Sequence, residues 1–176
     1  MKARRGKALV VVDMQNDFVT GSLANQAAQG IVSDIAKFIS EFDGDVYATR
    51  DAHSANYMGT QEGKNLPVMH CIKGTSGWEI VPEIEAALVE KNAKIINKPT
   101  FGSKKLAKKI ARRKYESVVL VGVCTDICVI SNAAVIKAFD PEVKIVVRKT
   151  LCAGVTPESH ENALKAMAAC QCEIAA

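Results

Sequence analysis

Short runs of β-branched and aliphatic residues alternate with longer segments of helical spacing from one end of the chain to the other. The runs are KALVVVD (7–13), DVYATR (45–50), AKIIN (93–97), SVVLVG (117–122), VKIVVR (143–148) and a weaker CQCEIA (170–175). They are continuously apolar rather than alternating, which suits strands buried on both faces. Between them lie GIVSDIAKFISEF (30–42), SKKLAKKIARRK (103–114), TDICVISNAAVIKAF (125–139) and PESHENALKAMAA (157–169). This order predicts an α/β fold, a parallel sheet with helices on both faces. The length, 176 residues, suits one domain over 1–176.

Several classes are set aside by composition. A formal charge of +4 is too mild to require a nucleic-acid partner. The basic start, MKARRGKALVVVDMQ, has an apolar run that stops at Asp13. That run is too short for a signal peptide or a membrane span. A cytoplasmic protein with no membrane partner is expected, and its six cysteines are then expected to be free thiols. The basic segment 104–114 carries Leu106, Ala107, Ile110 and Ala111 at helical spacing, and its lysines and arginines read as a solvated helix face. His160 reads as a surface or core-edge residue of an amphipathic helix.

Ligands of parallel α/β sheets bind outside the carboxyl ends of the strands. Asp13 ends the first run, Asp51 follows the second, Lys98 the third, and Gly122 to Cys128 the fourth. Thr125 and Asp126 are good N-cap residues, so a helix starting there places Cys128 in its first turn, where the helix dipole favours a thiolate. Cys124 precedes that helix and would contribute a backbone N–H; with the N–H of Cys128 it could form an oxyanion hole. Free cysteine is also among the most buried residue types, so this stretch alone leaves a packing role open. A lone carboxylate after three valines is costly unless paired or functional. Asp13 as proton acceptor, Lys98 as its counter-ion and Cys128 as nucleophile form a chemically coherent trio.

The stretch 51–78 is long for a connection, and such loops are usually functional or disordered. Asp51 and His53 stand two apart and share a side in extended backbone. With Glu62 and His70 they make a donor set suited to zinc, iron or manganese.

Taken together, LVVVDMQNDF (9–18), DAH (51–53), NKPTFGS (97–103) and GVCTDICV (122–129) resemble the isochorismatase-like cysteine hydrolases, most closely their nicotinamidase branch. The resemblance implies a three-layer α/β/α sandwich around a six-stranded, mainly parallel sheet. It places the nucleophile on Cys128, the acid/base carboxylate on Asp13 and the lysine on Lys98. It implies a non-proline cis peptide between Val123 and Cys124, there to aim the Cys124 N–H at the oxyanion. The implied reaction is hydrolysis of a small amide, nicotinamide first, through a thioester. It also implies a divalent metal at Asp51, His53, Glu62 and His70, zinc first with iron or manganese as alternatives. A homo-oligomer is the family's common state.

One departure bears on substrate. Nicotinamidases typically carry an aromatic residue shortly before the last metal histidine, and Leu66-Pro67-Val68-Met69 provides none. Phe18 matches the other ring wall; Trp78 or Tyr57 could supply the missing one. Another amide or a carbamoyl compound is therefore an alternative substrate. An isochorismatase-type enol-ether hydrolase would not need Cys128. Six thiols also leave room for a non-catalytic thiol or metal sensor. Cys71 and Cys152 receive no role, although Cys152 could lie near a subunit contact, and Cys170 and Cys172 read as packed on a terminal strand.

Overall fold

Strand β1 (Lys7–Val12) lies at the centre of the sheet because Ala8 to Val12 offer apolar side chains to both faces, and all five are buried. The computed structural model describes Arg4 and residues 6–176; the remaining residues of the basic start, 1–3 and 5, lie outside the described residues. The chain continues through α1 (Asn16–Val19), α2 (Gln26–Gly30), α3 (Val32–Glu41), β2 (Asp45–Asp51), α4 (Gln61–Asn65), α5 (Pro82–Glu90), β3 (Lys94–Lys98) and α6 (Lys104–Arg113). It ends with β4 (Ser117–Val123), a π-helical turn (Thr125–Val129), α7 (Ile130–Phe139), β5 (Lys144–Ala153), α8 (Pro157–Ala169) and β6 (Glu173–Ala175).

The six strands pair in the order β3-β2-β1-β4-β5-β6, and every pair is parallel. Successive residues of β1 alternate between two cores. Ala8, Val10 and Val12 pack with α6, α7 and α8 through Leu106, Ile110, Ala133, Ile136 and Leu164. Leu9 and Val11 pack with α3 and α5 through Ile35, Ile39, Ile84 and Leu88. This is the expected three-layer sandwich. Strand order reverses between β1 and β4, so a crevice opens at their carboxyl ends. No helix among the described residues is long and apolar enough to cross a membrane.

The helix ends follow local chemistry. Ser103 caps α6 through the Leu106 N–H, and a left-handed Lys114 closes it. Thr156 and Ser159 form a reciprocal capping box on α8, with Pro157 in its first turn. Four expectations change. Helix α5 had not been expected, although Ile84, Ala87 and Leu88 carry its buried face. Strand β5 runs to Ala153, because its register against β4 shifts between Leu120–Val147 and Gly122–Cys152. Cys152 therefore lies inside the sheet, buried, with Sγ 3.8 Å from the Leu120 carbonyl. Cys170 ends α8 and is exposed, since β6 starts only at Glu173; Cys172 is packed.

Gly122 sits where β4 passes closest to β1. Its φ is +111°, and a Cβ there would lie 2.2 Å from the Val12 carbonyl oxygen. Gly122→Ala is expected to cost roughly 3 kcal/mol or more. For a chain of this size that lowers the melting temperature by about 6–12 °C, measurable by thermal denaturation.

Candidate active site

The end of β1 is where the first site residue emerges. Asp13 takes a left-handed φ of +50°, and its carboxylate is fully buried. Oδ1 accepts a hydrogen bond from Thr49 Oγ1 at 2.7 Å, and Oδ2 lies 2.7 Å from Lys98 Nζ. Lys98 closes β3, two strands away, and is 1% exposed. Its ammonium also stands 3.5 Å from Cys128 Sγ and 3.7 Å from Asp51 Oδ1. One buried cation thus touches all three anionic or acidic groups at the switch point.

The charges follow from burial. Removal from water pushes the Asp13 carboxyl above its ordinary range, although the Lys98 charge opposes that rise. Burial alone would lower Lys98, but Asp13, Cys128 and Asp51 together hold it above its usual value. Burial is also the main reason that Cys128 is pushed well above an ordinary thiol, and the Asp13 charge adds to it. Burial and the Asp13 charge thus act against the thiolate that the helix start was expected to favour.

The helix start is also different. Cys124 occupies the N-cap position, and the first turn, Thr125–Val129, is π-helical with no side-chain cap. Thr125 Oγ1 pairs instead with His160 Nδ1 at 2.8 Å, and Asp126 Oδ1 accepts from the Val155 N–H at 3.1 Å. The Val123–Cys124 peptide is cis, as the resemblance implied.

Beyond Lys98 lies the second cluster. Asp51, His53, Glu62 and His70 bring one ligand atom each within 4.8 Å of one another. His53 Nε2 is 3.0 Å from Asp51 Oδ2 and 3.5 Å from Glu62 Oε1; His70 Nε2 is 3.8 and 3.7 Å from the same two oxygens. Burial works against the ionised Asp51, but the hydrogen bond with His53 and the Lys98 charge outweigh it and hold its pKa below the usual value. His70 Nδ1 donates to the Val68 carbonyl at 2.9 Å, which orients the ring with Nε2 facing the cluster. Two imidazoles and two carboxylates at this spacing fit a divalent ion of the zinc, iron or manganese type. The loop 51–78 is ordered around them, with α4 carrying Glu62 and Thr60 capping that helix. Tyr57 backs both imidazoles, its ring centroid 4.7 Å from His53 and 5.0 Å from His70.

Both clusters open into one cavity of about 1010 Å³. Phe18, Glu62, His70, Phe101, Cys124 and Cys128 are among its lining residues. Neither of the aromatic residues considered for the missing wall lines it. Tyr57 is buried behind the histidines, and the Trp78 ring lies under the Arg50 guanidinium at 3.6 Å. Leu66 lines the cavity in its own right, and Phe101, 45% exposed, provides a ring from the loop after β3. Phe101 lies within NKPTFGS but was not among the expected site residues. Three other supporting residues were also missed. Thr49 binds Asp13. Gln15 holds Asp51 through its N–H at 2.7 Å and its carbonyl at 2.9 Å. Asn132 donates to the Cys128 carbonyl at 2.8 Å and to that of Phe101 at 3.2 Å.

A family model described as the isochorismatase domain matches residues 7–176. The chain belongs to the isochorismatase family. Within this family, it is 31% identical over 172 residues to the isochorismatase family protein PncA of Bacillus subtilis, covering 90% of this chain and 92% of that protein. The crystal structure of nicotinamidase/pyrazinamidase PncA from Bacillus subtilis matches with a TM-score of 0.81 at 28% identity, covering 98% of this chain and 100% of that one. The pyrazinamidase of Pyrococcus horikoshii in complex with zinc matches with a TM-score of 0.79 at 28% identity, over 97% and 98% of the two chains. Isochorismatase family membership accounts for the parallel sheet and its switch-point crevice.

A divalent ion that fits the four-residue cluster should stabilise the folded chain. At a zinc concentration 100 times the dissociation constant the gain is about 2.7 kcal/mol. Melting temperature should rise with added zinc and fall back with chelator. Glu62→Gln should weaken zinc binding by about 100-fold or more, read by calorimetric titration. An unchanged affinity in that variant would remove Glu62 from the ligand set.

Proposed function

We propose that this protein is a cysteine-dependent amidohydrolase that converts nicotinamide to nicotinate and ammonia through a thioester on Cys128. The observation that carries the reading is Lys98 Nζ, 2.7 Å from Asp13 and 3.5 Å from Cys128 in a buried crevice. The relatives named as nicotinamidase and pyrazinamidase support it.

In this reading Asp13 accepts the thiol proton as Cys128 Sγ attacks the amide carbon. The carbon–sulfur bond forms, and the carbonyl electron pair moves to oxygen. The N–H groups of Cys124 and Cys128 donate to that oxyanion. Asp13 returns the proton to the amide nitrogen, the carbon–nitrogen bond breaks, and ammonia leaves. Asp13 then deprotonates a water that cleaves the thioester and restores the thiol. A divalent ion at Asp51, His53, Glu62 and His70, zinc in this proposal, supplies a Lewis acid at the cavity wall. Phe18 packs against His70, with 5.6 Å between ring centroids, and forms an aromatic wall for the substrate ring.

Leu66 at the cavity wall, where a nicotinamidase ring is expected, favours one second reading: a different small amide or a carbamoyl compound, hydrolysed by the same residues. The test is ammonia release by zinc-loaded protein from nicotinamide and from a panel of small amides and carbamoyl compounds. Fast turnover of nicotinamide is the expected result. Turnover confined to a carbamoyl compound would move the protein to the second reading. Silence on every amide would overturn both.

A further inference from the structure

The mechanism leaves unused the histidine whose ring meets the turn that carries Cys128. His160 stands in the first turn of α8, its N–H bonded to the Thr156 carbonyl at 3.0 Å. Its Nδ1 shares a 2.8 Å hydrogen bond with Thr125 Oγ1. Thr125 is fully buried and begins the π-helical turn, three residues before Cys128.

A threonine at the N-cap turns its hydroxyl back onto first-turn N–H groups, but Thr125 stands one residue later, after Cys124. Here that hydroxyl points to α8, and no side chain caps the turn among the described residues. The consequence is chemical. An oxyanion hole built from first-turn N–H groups works only if no resident acceptor occupies them. His160 engages the Thr125 hydroxyl, so that oxygen is turned toward α8.

The same histidine fixes the turn from outside. Gly154 passes so close to it that a Cβ there would lie 2.8 Å from His160 Cβ. The strand-to-helix loop at that point is tied to the turn through the Val155 N–H and Asp126. It is tied to the cavity-lining residue Asn25, which donates to the Gly154 carbonyl at 2.7 Å.

We propose that His160 is a positioning residue: through Thr125 it sets the Thr125–Val129 turn so that Cys128 Sγ meets Asp13 and the turn's N–H groups stay open to the oxyanion. The inference rests on the proposed cysteine mechanism. A shift of about 1 Å in a reacting group costs about 10²-fold in rate.

The test compares His160→Ala, His160→Asn, Thr125→Val and the double variant His160→Ala/Thr125→Val in zinc-loaded protein. The readouts are kcat and KM for nicotinamide, and the rate of Cys128 alkylation by iodoacetamide followed by peptide mass spectrometry. His160→Ala and Thr125→Val should each lower kcat about 10–100-fold with KM changed less than about 2-fold. Both should slow Cys128 alkylation. His160→Asn, whose amide can replace Nδ1 as donor or acceptor, should recover most of the loss. The double variant should be no slower than the slower single one, because both changes remove the same hydrogen bond. Unchanged kcat and alkylation in Thr125→Val would overturn the proposal, as would losses that multiply in the double variant or an Asn variant as slow as the alanine one. Thr125→Val and His160→Asn carry the test if His160→Ala does not fold. The alkylation arm needs no substrate, so inertness toward nicotinamide would count against the functional reading and leave this inference decidable.

Discussion

Cys128→Ala is expected to lose ammonia release on the order of 10⁴-fold or more, with no acyl-enzyme visible by intact-mass measurement. The loss should be in kcat, because the cavity, Phe18 and the metal cluster remain. Cys124 should not substitute for it. Lys98 Nζ, ion-paired with Asp13 at 2.7 Å, is 3.5 Å from Cys128 Sγ, so that sulfur is the one set against the Asp13–Lys98 pair. Folding should survive, since the change removes one buried sulfur at a helix start already held by Asn132 and Thr125. A Cys128→Ala protein that released ammonia at the wild-type rate would mean that water, not sulfur, attacks the amide.

What could be read from the chain depended on the range of the interaction. The three-layer order was legible because continuous apolar runs and helical spacing are local. Asp13, Asp51, Lys98 and Cys128 could be placed together because strand ends in a parallel sheet share one edge. Glu62 and His70 were found through the chemistry of the loop rather than its conformation. Readings that needed a partner far along the chain went astray. Thr125 and Asp126 looked like caps, yet their side chains are taken by His160 and Val155, some thirty residues later. The helix start favoured a thiolate at Cys128, but burial and the Asp13 charge act the other way, and both come from tertiary structure. His160 is half-buried, as a surface or core-edge residue of an amphipathic helix should be, but helical spacing could not show that the turn after β4 packs against it.

Asp13→Asn is the second large effect. The amide fits the site: its oxygen can face Lys98 while its NH₂ donates to Thr49 Oγ1, so the neighbours stay paired. What is lost is the proton acceptor, and general-base catalysis is worth about 10²–10⁴-fold. The loss should approach the upper end, because the Cys128 thiol lies well above its ordinary pKa and forms little thiolate unaided. The pH profile separates this from simple misfolding. In the parent protein kcat/KM should fall as pH drops through the Asp13 pKa, since only the carboxylate accepts the proton. Burial holds that pKa above the usual carboxylate value of about 4, and Lys98 limits the rise. Lys98→Met should therefore move the acid limb toward neutral pH, while leaving a buried carboxylate unpaired at a cost of about 3–5 kcal/mol. Asp13→Asn should abolish the limb. An acid limb that persists unchanged in Asp13→Asn would assign the titration to another carboxylate and return Asp13 to a structural ion pair with Lys98.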